Sequence, residues 1–128
     1  MDLSHLESRR LFDYPRSLLP NAWLARLEEQ SKDANSALKL TGLSMGYPAW
    51  NLLYYSLFCA LPPDQDPVYL VETGTNAGIS TIILAQVLKD RKLNSKVQTV
   101  DIQRELLEIA VVNVHEAGLS ELVDFHLG

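Results

Sequence analysis

The sequence predicts an α/β fold, a three-layer arrangement around a partial parallel sheet of three strands, with N-terminal helices ahead of it. Three observations predict it. From Val68 onward short apolar runs alternate with longer amphipathic ones in the order strand, helix, strand, helix, strand. A loop with two glycines, Val71-Glu72-Thr73-Gly74-Thr75-Asn76-Ala77-Gly78-Ile79, joins the first strand to the first helix of that unit. The connections are short, which implies parallel strands and right-handed crossovers. A chain of 128 residues with 47% hydrophobic content is one globular domain by size and buries a real core.

Residues 1–67 read as an N-terminal helical segment and 68–128 as the strand-bearing part. Leu3 to Phe12 is expected to form a short helix. Asn21, after Pro20, can cap a longer one whose Trp23, Leu27, Ala34 and Leu38 fall on one face. Leu40 to Tyr47, with Gly42 and Gly46, reads as a loop. Pro48 suits the first turn of a third helix that runs to about Leu61, where Pro62-Pro63 stops it. Pro62 to Pro67 is the linker into the sheet.

Val68-Tyr69-Leu70 reads as the start of the first strand, and Val68 to Glu72 as apolar on both faces, as in a strand central to a parallel sheet. Gly74 can adopt the positive φ that turns the chain off the strand end, and Gly78 lets the helix beginning at Ser80 start close to what lies over the loop. Lys96 to Asp101 is a second strand ending in an acid. Arg104 to Ala117 carries Leu106, Ile109, Ala110, Val114 and Ala117 on one stripe, with Gly118 in the terminating position. Leu122 to His126 is the third strand.

The loop spacing is Glu-x-Gly-x-x-x-Gly. The dinucleotide pattern Gly-x-Gly-x-x-Gly would need glycine where Asn76 and Ile79 stand, so the loop points to a nucleoside without phosphates rather than a pyrophosphate. Asp101, at the neighbouring strand tip, can accept hydrogen bonds from both ribose hydroxyls of such a ligand. The alternative for Asp101 is a helix cap ahead of Ile102-Gln103-Arg104.

On these residues the stretch from Val68 to Gly128 resembles the first half of a class I S-adenosylmethionine-dependent methyltransferase of the small-molecule O-methyltransferase type, a Rossmann-like fold. Glu72 to Thr81 is similar to that family's first motif; Val100-Asp101-Ile102, with Ala110-x-x-Asn113 and Ala117-Gly118-Leu119, resembles its second block. Thr73 departs from the larger apolar residue usual there. The resemblance implies S-adenosylmethionine as cofactor and a cofactor-binding set of Glu72, Gly74, Thr75, Asn76, Gly78, Ser80 and Asp101. In that set the loop wraps the methionine part, Ser80 meets its carboxylate, Glu72 lies near its amino group and Asp101 holds the ribose. It also implies O-methylation of a small molecule or sugar, and an N-terminal segment acting as a lid or oligomerisation element; the alternative is that these helices simply cover one sheet face. Such sheets have seven strands, with the first in the middle; this chain reaches the third. It therefore reads as an N-terminal portion, inactive alone, and no catalytic residue is assigned.

Composition narrows the alternatives. The net charge of −5 is spread over both halves, without a basic footprint for nucleic acid or a polybasic patch for a membrane surface. Ala49 to Leu61, the longest apolar stretch, is too short to span a bilayer, and the N-terminus lacks the apolar core of a signal peptide. A single cysteine, Cys59, suits a reducing cytoplasm and reads as a buried small hydrophobe. His115 reads as a surface residue, His126 as a strand-end residue in packing or solvent contact, with bordering the ligand as its alternative, and His5 as part of a frayed terminus. Histidines and carboxylates show no metal-ligand spacing. Trp23, Trp50, Tyr54 and Tyr55 read as core, and Glu28, Glu29, Lys32 and Asp33 as a solvated helix face. A first strand without its outer neighbour predicts a homo-oligomer. The remaining alternatives are a non-catalytic binding or assembly module of the same fold and an NAD-dependent oxidoreductase, which the loop spacing disfavours.

Overall fold

A computed structural model of the protein describes residues 21–30, 49–62 and 66–128. The expected helix over Leu3 to Phe12, the loop Leu40 to Tyr47, and His5, Lys32, Asp33, Ala34, Leu38 and Pro48 lie outside the described residues. In chain order the elements are α1 (Ala22–Gln30), α2 (Ala49–Ala60), β1 (Leu70–Thr73), α3 (Ile79–Asp90), β2 (Val97–Asp101), α4 (Arg104–Glu116), a 3-10 turn (Ser120–Leu122) and β3 (Val123–Leu127).

The strands form one parallel sheet in the order β1-β2-β3. Register places Glu72 beside Thr99 and Val97 beside Val123, so Leu70, Glu72, Val97, Thr99, Asp101, Val123 and Phe125 share a face. That face is covered: Val97 and Thr99 are fully buried, together with Ile79, Ile82, Ile83, Val87 and Leu88 of α3 and Ala110 and Val114 of α4. The α/β class, the parallel order and the helices preceding the sheet are as the sequence predicts.

The first strand differs from expectation. It begins at Leu70 instead of Val68, and its faces are unlike: Tyr69 is 86% and Val71 74% exposed, while Glu72 turns a carboxylate inward. Both faces were expected to be buried because parallel strands normally carry helices on each side; among the described residues nothing covers the face of Tyr69 and Val71.

The N-terminal helices build outward from α3. Asn21 caps α1 as expected, its Oδ1 accepting the N–H groups of Trp23 at 3.0 Å and Leu24 at 3.2 Å. Leu24 is wholly buried, with Trp23 and Leu27 partly so. In α2 the inward stripe is Trp50, Tyr54 and Leu57, continued at helical spacing by Leu61 just after the helix. Cys59 lies off that stripe and is exposed, which corrects the buried reading. Ile109 is likewise exposed: α4 buries Ala110 and Val114, with Leu106 and Ala117 intermediate, because the short side chain at position 110 lets the helix approach the loop at Gly78. Gly118 ends α4 at φ +73°, as predicted. No described helix is long and apolar enough to cross a membrane.

Candidate binding site at the strand ends

The site grows from the point where β1 ends. Gly74 takes φ +80°, and its N–H donates to the Val100 carbonyl at 2.9 Å, which carries the loop across to the tip of β2. Asn76 also sits in the left-handed region at φ +49°; its Oδ1 accepts the Ala77 N–H at 2.6 Å. Gly78 takes φ +83°, and a Cβ there would stand 3.0 Å from the Ala110 Cβ and 3.2 Å from its Cα. Glycine is thus required at 78 by contact as well as by conformation. Asn113 Nδ2 donates to the Ala77 carbonyl at 2.8 Å and pins the loop to α4.

Asp101 joins the two strand tips. Its Oδ2 accepts the Asn76 N–H at 2.8 Å and its Oδ1 the Gln103 N–H at 2.9 Å, in a position only 8% exposed. The Asn76 N–H, then that of Gln103, holds this carboxyl below the usual aspartate range against the opposing effect of burial. Gln103, the residue before α4, makes no capping bond with its own side chain, and its N–H is taken by Asp101 Oδ1. Asp101 braces the glycine loop and the entry to α4 simultaneously.

Glu72 is the second carboxylate. Ser80 Oγ donates to its Oε1 at 2.5 Å, and Thr81 Oγ1 and Thr99 Oγ1 donate to its Oε2 at 2.5 Å and 2.7 Å. Thr75 Oγ1 lies 2.7 Å from Thr99 Oγ1. Since Thr99 has given its one hydrogen to Glu72, Thr75 is the donor in that pair. Thr75, Thr81 and Thr99 are fully or almost fully buried.

A cleft of about 410 Å³ opens between Thr73, Gly74, Val100, Asp101, Ile102 and Gly128. It lies at the carboxyl ends of the strands, where open α/β sheets bind ligands. A second cleft of about 350 Å³ lies at the opposite strand ends, beside Pro67, Tyr69 and Lys96, and has neither glycine loop nor buried carboxylate. Of the seven residues singled out in the sequence, Glu72 lies on β1, Gly74, Thr75, Asn76 and Gly78 in the loop, Ser80 in the first turn of α3 and Asp101 at the tip of β2; Gly74 and Asp101 line the cleft and the other five do not. His115 is exposed, 3.5 Å from Ser120 Oγ; His126 is exposed, its Nε2 2.7 Å from Gln98 Oε1, and does not line the cleft. Among the described residues no group of three histidines, cysteines or carboxylates is arranged to hold a metal.

Sequence reasoning did not single out Thr81 or Thr99. A signal for Thr99 was present: in Val97-Gln98-Thr99-Val100-Asp101 the inward positions alternate, and a threonine between Val97 and Asp101 must find a polar partner inside.

No family model and no curated protein matches the chain. Solved structures do. The O-methyltransferase TomG of Streptomyces achromogenes, involved in tomaymycin synthesis and solved with SAM, shares 25% identity over 100% of this chain and 52% of its own, with TM-score 0.61. An O-methyltransferase of Bacillus cereus, solved with SAH, gives 23% identity, 93% and 50% coverage and TM-score 0.59. The SAH-bound methyltransferase PaMTH1 of Podospora anserina gives 11% identity, 100% and 51% coverage and TM-score 0.61. The chain has the Rossmann-like fold of these methyltransferases and spans about half the length of each.

Proposed function

We propose that the chain is the cofactor-binding portion of an S-adenosylmethionine-dependent methyltransferase acting on the oxygen of a small molecule or sugar. The observation that carries this reading is that Gly74, at the positive-φ turn off β1, and the buried carboxylate of Asp101 line one cleft, with the loop beyond Gly74 tied to that carboxylate through the Asn76 N–H.

The residues fit the cofactor. A Cβ at Gly74 would meet nothing within 4 Å, so the loop backbone there is open to a ligand. Asp101 has engaged one acceptor site on each oxygen with the loop and with Gln103, which leaves capacity on both oxygens for a ribose diol. The loop over Thr75, Asn76 and Gly78 would lie along the methionine part, with Glu72 and Ser80 near its charged end. The cofactor's sulfonium supplies an activated methyl group, and the protein's share is alignment and desolvation, with a base where the acceptor is a hydroxyl. No described residue is assigned as that base, so the chain alone is expected to transfer no methyl group above background.

Calorimetric titration tests the reading. S-adenosylmethionine and S-adenosylhomocysteine should bind and NAD should not; tighter binding of NAD would overturn it. Asp101→Ala should weaken the adenosyl ligands at least tenfold, on the order of 1.4 kcal/mol.

A second reading, an assembly module of the same fold, is favoured by the exposed Tyr69 and Val71 beside the outer edge of β1. It predicts association that proceeds whether or not an adenosyl ligand is present.

A further inference from the structure

The side of α4 turned away from the sheet carries an apolar and acidic stripe. Glu105, Ile109, Val112 and Glu116 recur at helical spacing on that side, away from the buried Ala110 and Val114. Ile109 is 49% and Val112 55% exposed, and together with Glu105, Glu108 and Asn113 they line a groove of about 330 Å³. Among the described residues none of Glu105, Glu108 and Glu116 is ion-paired. A second copy of α4 would set acids against acids here, so the groove fits an apolar segment that carries cations.

The chain brings such a segment to this place. Asn21 Nδ2 donates to the Ala117 carbonyl just after α4, and Trp23 Nε1 donates to Glu116 Oε2 at 3.2 Å, so residues 1–20 join the described chain at the Glu116 end of the stripe. Along the helix Glu105 lies about 16 Å from Glu116. Residues 13–20 reach about 26 Å when extended, enough to lay residues 3–12 anywhere on the groove. In the helix that the sequence predicts over residues 3–12, Leu3, Leu6, Arg9 and Arg10 share a face, with Glu7 at its rim and Asp2 and Asp13 at its ends.

We propose that residues 3–12 dock as a helix along the outward stripe of α4, with Leu3 and Leu6 against Ile109 and Val112 and with Arg9 and Arg10 against the glutamates. A tethered segment stands at an effective concentration on the order of 1 mM, so contacts too weak to recruit a free peptide suffice. Asn113, whose Nδ2 pins the glycine loop through the Ala77 carbonyl, lines the same groove, and the docked segment shields that hydrogen bond from water. Docking requires no adenosyl ligand.

Hydrogen exchange of the full chain, read by mass spectrometry on peptides from residues 1–20, tests the docking. A helix this short is marginal in water by itself, so protection of its amides reports a partner surface. The amides of residues 3–12 should exchange about tenfold or more below their unprotected rate, equally at two protein concentrations about tenfold apart. Val112→Lys, at a half-exposed helix position that tolerates lysine, should abolish the protection, while Val112→Leu should keep it. Arg9→Gln combined with Arg10→Gln should lower it about threefold, and Val71→Lys, on the sheet, should leave it unchanged. Unprotected rates in the parent, or protection indifferent to Val112→Lys, overturn the docking. Protection that climbs with protein concentration seats the segment on a neighbouring copy and overturns docking within one chain.

Discussion

Asp101 and Gly78 show how much one position is asked to do here. The Asp101 carboxylate holds the loop through Asn76 and the start of α4 through Gln103. Its proton affinity is lowered in the folded chain, so its contribution to stability is present above the ordinary aspartate range and is lost as pH falls through the lowered folded value. Urea titrations at descending pH should show that loss in the parent and not in Asp101→Asn; an identical acid dependence in both would mean the loop does not depend on this charge. Gly78→Ala combines a left-handed φ with overpacking against Ala110. Together these should cost about 2–4 kcal/mol by urea unfolding. Gly74→Ala meets open space and should cost only the backbone strain, about 1–2 kcal/mol.

Elements are joined by a polar network as well as by the core. Asn21 caps α1 and also donates from Nδ2 to Gln86 Oε1 on α3 at 2.9 Å and to the Ala117 carbonyl after α4 at 3.1 Å. Gln86 in turn donates to Asp90 at 2.9 Å, and Asp90 accepts the Tyr54 hydroxyl from α2. Burial, with the Asp90 hydrogen bond, pushes the Tyr54 phenol well above its ordinary range, so it stays neutral and donating at any physiological pH. Asn21→Ala deletes the cap and leaves Gln86 and Ala117 without this partner, an expected loss of about 2–4 kcal/mol. Asn21→Asp keeps the capping acceptor and loses the donor. If its urea midpoint equals the parent's, the network adds nothing beyond the cap.

At the scale of the molecule, the described residues expose a sheet face carrying Tyr69 and Val71 beside the outer edge of β1. Unpaired strand N–H and C=O groups beside exposed apolar side chains favour pairing with another chain, and a two-fold partner offering the same edge satisfies both copies. We predict self-association through this surface. Light scattering at rising concentration should show a species larger than the monomer, and Val71→Lys should shift the distribution to monomer without lowering the urea midpoint. A parent that stays monomeric while folding cooperatively would count decisively against it.

Local rules carried much of this protein. The α/β alternation, the cap at Asn21, the positive φ of Gly74, Gly78 and Gly118, and the acid at the end of β2 are all legible in sequence, because each depends on residues a few positions apart. Pairings across long separations were not legible. That Glu72 would be held by Thr81 and Thr99, that Asp101 would brace Asn76 as well as the start of α4, and that Gly78 would be needed against Ala110 depend on strand register and helix approach. Burial misled for the same reason: periodicity marks an apolar stripe, but which edge of it is covered depends on the neighbour. Cys59, Ile109, Tyr69 and Val71 are exposed because packing across the fold, and not their own side chains, determined which faces met a partner.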